Sequence, residues 1–426
     1  MPTAAPRPVE SLRTFGLLRR LSLASVAACA AMAAAGSVVG CSTPPVEQQV
    51  ERGPLEPGSF SIDWKVKVDE GRYGKLDRLY RRGDIIVAYT DKNTVIVVGA
   101  ESGQTVFIDP TIARRVDRLY PPLRLDALGR LGNVQEFLAF PRGDTYVLRS
   151  MAGEPISETK LPRNLTGAGA AADGVVYVGS ADDNAGRLLQ IDPTKPAAQV
   201  LSRVQFPVGI SSKPAIFQGL IYAADEQGTV YGLDEELRSV WPGRSGAGFQ
   251  TESGRGIEAD LAADSYGVYA AGTDGTLYAL DRQRGRLRWR FLAGRALYTR
   301  PVPSGDYVYQ YVPDDGVVAI KKAEGSFNSR QPAWTAEGTL GYLSSDNRRV
   351  YLLQSNHSIS AHDVETGEEL YRTRRSDYTT FARNMDDDRI FAATDDGHIV
   401  AVKPINARGQ VGEFALAPSR GASPRG

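Results

Sequence analysis

Gly267-Val268-Tyr269-Ala270-Ala271-Gly272-Thr273-Asp274-Gly275-Thr276-Leu277-Tyr278-Ala279-Leu280-Asp281 reads as two strands joined by a tight turn. Polar and apolar residues alternate as a half-buried strand requires. Asp274-Gly275 supplies the positive φ angles of a hairpin. A second turn at Arg284-Gly285 leads into an outer strand from Arg286 to Phe291 that carries Trp289. The preceding stretch, Ile221 to Asp234, repeats the pattern in register and is followed by Trp241.

Working outward from this unit, the same strand–turn–strand pattern centres on Val87, Phe137, Tyr177, Tyr222, Tyr269, Tyr309, Tyr351 and Phe391. Subtraction gives steps of 50, 40, 45, 47, 40, 42 and 40 residues. A period of about 40–50 residues built only from strands means one four-stranded sheet per repeat. The sequence therefore predicts an all-β fold, an eight-bladed β-propeller of four-stranded antiparallel sheets. Seven blades is the competing count, because the copies around Val87 and Phe137 are the most degenerate. Their turns read Asp91-Lys92-Asn93 and Pro141-Arg142-Gly143-Asp144.

A propeller has to close, or its first and last sheets would leave open edges. Trp241, Trp289, Trp334 and Tyr371 each fall about twenty residues after a pivot, at outer-strand positions of the repeat. Trp64, in Ile62-Asp63-Trp64-Lys65-Val66, has no pivot before it. It is one candidate for the outer strand of the last blade. Glu413-Phe414-Ala415-Leu416 is the other.

Lys+Arg and Asp+Glu are both 50 in 426 residues, so charge gives no case for nucleic acid or an anionic surface as partner. Both cysteines, Cys29 and Cys41, precede the repeats, so the propeller uses neither a disulfide nor a cysteine-bound metal. The three histidines, His357, His362 and His398, read as turn and strand-end residues rather than ligands. Asp-Asp pairs at 182–183, 314–315, 386–387 and 395–396 mostly fall in turns, where aspartate bonds its own backbone.

The amino terminus reads as an export signal. Arg13, Arg19 and Arg20 precede an Ala-rich apolar run from Leu21 to Val39. It ends at Val38-Val39-Gly40-Cys41, a small residue before the cut and a thiol after it. That arrangement resembles the lipobox of bacterial lipoproteins, which implies acylation of Cys41 and anchoring by two or three chains. An uncleaved membrane helix and a plain signal peptide are the competing readings. Leu18-Arg19-Arg20-Leu21-Ser22-Leu23 faintly resembles a twin-arginine signal. The expected organisation is a signal peptide at 1–40, a lipidated Pro-rich tether at 41–59, the propeller at 60–407 and a partly disordered tail at 408–426.

Tyr278-Ala279-Leu280-Asp281, Arg284-Gly285 and Arg288-Trp289 resemble the repeat of pyrroloquinoline-quinone (PQQ) enzymes, which names a propeller superfamily and not a cofactor. With the lipobox and tether, the chain resembles the BamB family of lipoproteins, part of the outer-membrane β-barrel assembly machinery. The resemblance implies a non-catalytic, cofactor-free scaffold, lipid-anchored in the cell envelope and facing the periplasm, on the outer membrane where the cell has one. Its partners would be envelope proteins of that machinery. The alternatives are a glycan- or peptide-binding or sensor propeller, and a quinoprotein dehydrogenase. The dehydrogenases carry a vicinal cysteine pair, which residues 60–407 lack.

The Gly-rich stretch Trp241 to Gly256 reads as a connection between blades. It lacks the Gly-Lys-Ser/Thr ending and following helix of a phosphate loop. Phe249 and Arg255 stand in it as candidate partner anchors. In the BamB family the matching connection carries acidic residues for the partner, and Glu258 and Asp260 fall near those positions. The family's preceding connection carries leucines and an arginine. Here it reads Pro207-Val208-Gly209-Ile210-Ser211-Ser212-Lys213, without the arginine.

Overall fold

A computed structural model describes residues 53–405 apart from 57–59, 129–133, 162–164, 183–184, 196–198, 211, 242–247, 324–330 and 374–376. Eight antiparallel sheets follow one another along the chain. Blades 1 to 7 span 76–109, 123–160, 170–206, 215–250, 262–292, 302–336 and 339–372, each with four strands in chain order from axis to rim. Blade 8 takes its three inner strands, Tyr378–Ala382, Ile390–Thr394 and His398–Pro404, from the end of the repeats. Its fourth is Phe60–Lys67, from the start of the chain.

That strand closes the ring. It pairs from Phe60 against Pro404 to Lys67 against His398, with Trp64 opposite Ala401. The rival, Glu413 to Leu416, lies outside the described residues. Gly53–Glu56, which the sequence reading puts in the tether, adds a fifth strand to this sheet. A single helical turn, Glu70–Tyr73, then leads into blade 1. Asp69 caps it, its carboxylate accepting the Arg72 N–H at 3.2 Å.

The pivot residues sit where the period places them. Val87, Tyr222, Tyr269, Tyr351 and Phe391 are fully buried, and Tyr177 and Tyr309 nearly so. In blade 2 the second strand, Val134–Arg142, is longer, and burial falls on Leu138-Ala139-Phe140, leaving Phe137 half-buried. Apolar clusters fill the spaces between successive blades. One of them joins Trp64, Phe391 and Ala393 of blade 8 to Ile86, Ala88 and Val98 of blade 1.

One device recurs at the outer strands. A tryptophan of one blade inserts against the next, and its indole N–H donates to a backbone carbonyl there. Trp64 donates to Ala100 (2.9 Å), Trp241 to Arg282 (2.9 Å), Trp289 to Lys322 (3.0 Å) and Trp334 to Val364 (2.8 Å). The indole needs a partner once buried, and this carbonyl supplies it. For Trp64, Trp241 and Trp334, space for the ring comes from a glycine. A Cβ on Gly285 would lie 2.4 Å from Trp241, and one on Gly367 would lie 2.4 Å from Trp334. Both glycines also have positive φ, so the turn and the cleft for the ring demand the same residue. Blade 8 uses the same latch as the blades that are contiguous in sequence, so closure across the termini needs no special chemistry.

Blade 4 departs from expectation. Trp241 is not on a ladder strand. After an isolated bridge between Leu233 and Ser239 the chain leaves the sheet. It returns only as the two-residue outer strand Phe249–Gln250, paired with Val230 and Thr229. Gly248 permits the return, since a Cβ there would lie 1.7 Å from the Val230 carbonyl oxygen. The stretch from Trp241 to Gly256 is thus not a simple connection, because it contains the blade's own edge.

Candidate functional site

Chain segments that leave an outer strand and enter the next inner strand meet at one face of the disc and lead towards its axis. Four of the predicted site residues lie on the segment from blade 4 into blade 5. Phe249 is half-buried, its ring 5.3 Å from that of Tyr278 in blade 5. Arg255 and Glu258 are exposed, and Asp260 is half-buried. Cys41 lies outside the described residues, as does 242–247 of the Gly-rich stretch.

The backbone of this segment is held in place. The Gly256 carbonyl accepts from both the N–H and the hydroxyl of Thr273, at 3.1 and 2.9 Å. Ser253 donates to the Asp274 carboxylate at 3.1 Å, and Glu252 pairs with Arg290. Arg255 therefore projects from a fixed base. Among the described residues its guanidinium makes no hydrogen bond or ion pair. Phe249 belongs with the packing between blades, whereas Arg255 and Glu258 belong to the free surface.

Asp260 leads inward. Its Oδ1 accepts the backbone N–H of Lys213 at 3.3 Å, and the Leu261 N–H returns a bond to the Lys213 carbonyl at 3.4 Å. Arg300 donates through Nε to the Leu261 carbonyl at 3.1 Å. Lys213, Asp260 and Arg300 thus stand side by side, each two residues before the innermost strand of blades 4, 5 and 6. Arg82 ends the innermost strand of blade 1, opposite blade 5 in the ring. It donates to the Pro122 and Arg81 carbonyls, at 2.7 Å each. Arg383 follows the innermost strand of blade 8.

These groups act on one another electrostatically across the ring. Desolvation, reinforced by Arg82 and Arg300 against the pull of Asp260, holds the Lys213 ammonium down to about 7. Desolvation and Arg300, again partly offset by Asp260, lower Arg383 to about 10. Lys213 is half-buried and Arg383 is exposed, so water shares the space around both. The sequence reading missed this cluster. Its members come from five blades, and no local motif joins them.

A second feature is acidic. A groove of about 1110 Å³ between blades 6, 7 and 8 is lined by Asp306, Asp346, Glu365, Asp386, Asp387 and Asp388, among others. Burial, with Asp387 and Asp346 nearby, pushes Asp388 up to about 6. Much of this charge is committed to structure: Asp346 accepts from Arg349 and Tyr351, and Asp387 pairs with Arg81 at 2.8 Å. Among the described residues no group of three or more His, Cys, Asp or Glu is placed to hold a metal ion. His362 is bound to the Gly367 carbonyl and the Ser360 hydroxyl, and it stacks on Trp334. No helix among the described residues is long and apolar enough to cross a membrane.

Comparison with solved structures agrees with the architecture. BamB from Moraxella catarrhalis superposes with a TM-score of 0.55 at 15% identity, covering 80% of this chain and 99% of that one. The computationally designed Ika8 protein gives 0.55 at 17% identity, covering 77% and 95%. A quinohemoprotein alcohol dehydrogenase from Pseudomonas putida gives 0.56 at 12% identity, covering 84% and 78%. At these identities the likeness is one of fold alone. A search of curated protein sequences gave no match. The profile of the family described as outer membrane protein assembly factor BamB, by contrast, matches residues 142–295 and 273–420. Those two matches span blades 3 to 8 and well over half of the sequence, and on that ground the chain belongs to the BamB family of PQQ-type propellers.

Proposed function

We propose that this chain is a lipid-anchored, non-catalytic scaffold of the cell envelope that binds protein partners through loops on one propeller face, in the assembly of outer membrane proteins. Membership of the BamB family carries the reading. The geometry adds a rigid disc whose loops are fixed at their bases while side chains such as Arg255 and Glu258 stay free. Protein interfaces draw much of their energy from a few such anchors. Residues 60–407 hold no cysteine, which sets the chain apart from the vicinal-cysteine chemistry of quinoprotein dehydrogenases. The anchor would be Cys41, the first residue after the apolar run.

Affinity capture of the intact protein from its own envelope tests the scaffold. Barrel-assembly subunits should co-purify, and their absence at low salt would end the proposal. Mass spectrometry of the processed amino terminus tests the anchor. An acylated Cys41 is expected, and a start at Ser42 or a retained residue 40 would refute it.

A further inference from the structure

We infer that the acidic groove between blades 6, 7 and 8 is a docking site for the chain's own residues 406–426, an arginine-bearing segment with a short apolar core. The inference rests on the closed ring. It stands apart from the partner-docking reading, since the groove opens on the face opposite Arg255 and Glu258.

The groove is walled by turns. Asp306, Asp346 and Asp386 to Asp388 lie between the first and second strands of blades 6, 7 and 8, and Val364 to Thr366 between the third and fourth strands of blade 7. Six of its seven charged lining residues are acidic, the seventh being Lys321. Asp346, Asp386 and Asp387 are held by Arg349 and Arg81. Asp306, Glu365 and Asp388 make no ion pair among the described residues. The lining also offers apolar surface at Val364 and at Met385, which is 45% exposed. The volume of about 1110 Å³ exceeds the roughly 300–1,000 Å³ of small-molecule pockets and suits a length of chain.

The segment that leaves blade 8 has the complementary chemistry. Residues 406–426, which lie outside the described residues, carry Arg408, Arg420 and Arg425 against one acid, Glu413, beside Phe414-Ala415-Leu416. Blade 8 is complete without them, because Phe60–Lys67 fills its fourth position and Gly53–Glu56 lies beyond it. The third strand of blade 8 ends at Pro404, on the same face as the groove. Val402 pairs with Ile390, so Pro404 and Asp388 stand two residues past the same rung of neighbouring strands, which lie roughly 5 Å apart. The segment therefore starts beside the groove. A short tether gives an effective concentration on the order of millimolar, enough to fill a site that exposed ion pairs alone make weak.

Hydrogen exchange on the full chain in detergent tests the site. Arg408→Gln, Arg420→Gln and Arg425→Gln combined should speed amide exchange in the turns 305–306, 346–347, 364–366 and 385–388 by about fivefold over wild type, the equivalent of two or three exposed ion pairs. Asp306→Asn, Glu365→Gln and Asp388→Asn combined should do the same. Neither set touches a strand ladder, so both should keep the wild-type circular dichroism. Arg→Lys at the same three positions keeps the charge and adds amines. Carbodiimide joins such an amine to a carboxylate as an amide, taking up the water lost as a urea. It should link the segment to Asp306, Glu365 or Asp388 within one chain. Equal exchange in wild type and both variants would overturn the inference, as would links only to carboxylates elsewhere. Protection kept without the arginines but lost without the carboxylates would give the groove to a different partner and overturn this occupant. Links between chains, with protection that grows with protein concentration, would overturn it in favour of a second copy.

Discussion

The rim and the axis of this disc are built on opposite principles. At the rim each tryptophan is buried to 7% exposure or less and its N–H is satisfied, and for Trp64, Trp241 and Trp334 a glycine opposite makes room for the ring. Near the axis, Lys213, Asp260 and Arg300 stand before the innermost strands of three successive blades, joined only by single bonds to backbone groups. The rim is where a propeller gains stability, and desolvation of the Lys213 ammonium sets a cost against it nearer the axis.

The largest expected effect lies at the latches. Trp289→Ala and Trp64→Ala should each cost about 3–5 kcal/mol, the range for emptying a buried large aromatic site. Urea unfolding measures this. Trp289 holds blades that are neighbours in sequence, and Trp64 holds blade 8, drawn from both ends of the chain, onto blade 1. Hydrogen exchange should therefore rise across both blades 8 and 1 in Trp64→Ala. If either variant lost less than about 1 kcal/mol, the latch would be ornament rather than architecture.

Gly367→Val probes the other half of the latch. It would set a branched side chain against the Trp334 ring, at a φ of +73° that only glycine adopts readily. A loss of about 1–3 kcal/mol is expected from overpacking and strain combined. An unchanged urea midpoint would mean that the turn can move away from the ring.

At the axis the sign reverses. Lys213 titrates at about 7 in the folded protein and at 10.5 in its ordinary state. Between those values the unfolded chain binds more protons, so this group makes stability rise with pH from about 7 towards 10.5. Arg82, Asp260 and Arg300 are the charged groups that act on it. Lys213→Met should abolish this part of the slope and be at least as stable as wild type at pH 7. Thermal melts at pH 7 and 9 would show it. A wild-type slope that survives in the variant would remove Lys213 from the account.

The two regions also differed in how readable they were. The repeat was legible because strand alternation and Asp-Gly turns are local, as at Tyr269 to Asp281. Trp64 was legible as a closing residue because it is a latch tryptophan without a pivot before it. Phe249 was harder: a two-residue edge strand is too short to show alternation, and the Gly-rich stretch hides it. The axial cations were not legible at all. Lys213, Arg300 and Arg383 look like ordinary surface residues in their own segments, and only ring closure sets them beside Asp260 and opposite Arg82.

The smallest expected effects on stability separate the surface from the packing within one short segment. Arg255→Ala and Glu258→Ala should change stability by no more than about 0.5 kcal/mol, as substitutions of free surface side chains do. Phe249→Ala removes a ring packed on Tyr278 and should cost more, on the order of 1 kcal/mol or above. In envelope capture at one fixed salt concentration, Arg255→Ala and Glu258→Ala should retain less partner than wild type despite their unchanged stability. An anchor of this kind is worth about 1–2 kcal/mol, or roughly a five- to thirty-fold loss of affinity. Phe249→Ala is the control that tells the two causes apart. If it alone lowers capture, and does so in proportion to its lost stability, the segment serves the propeller's edge and the docking surface lies on other blades.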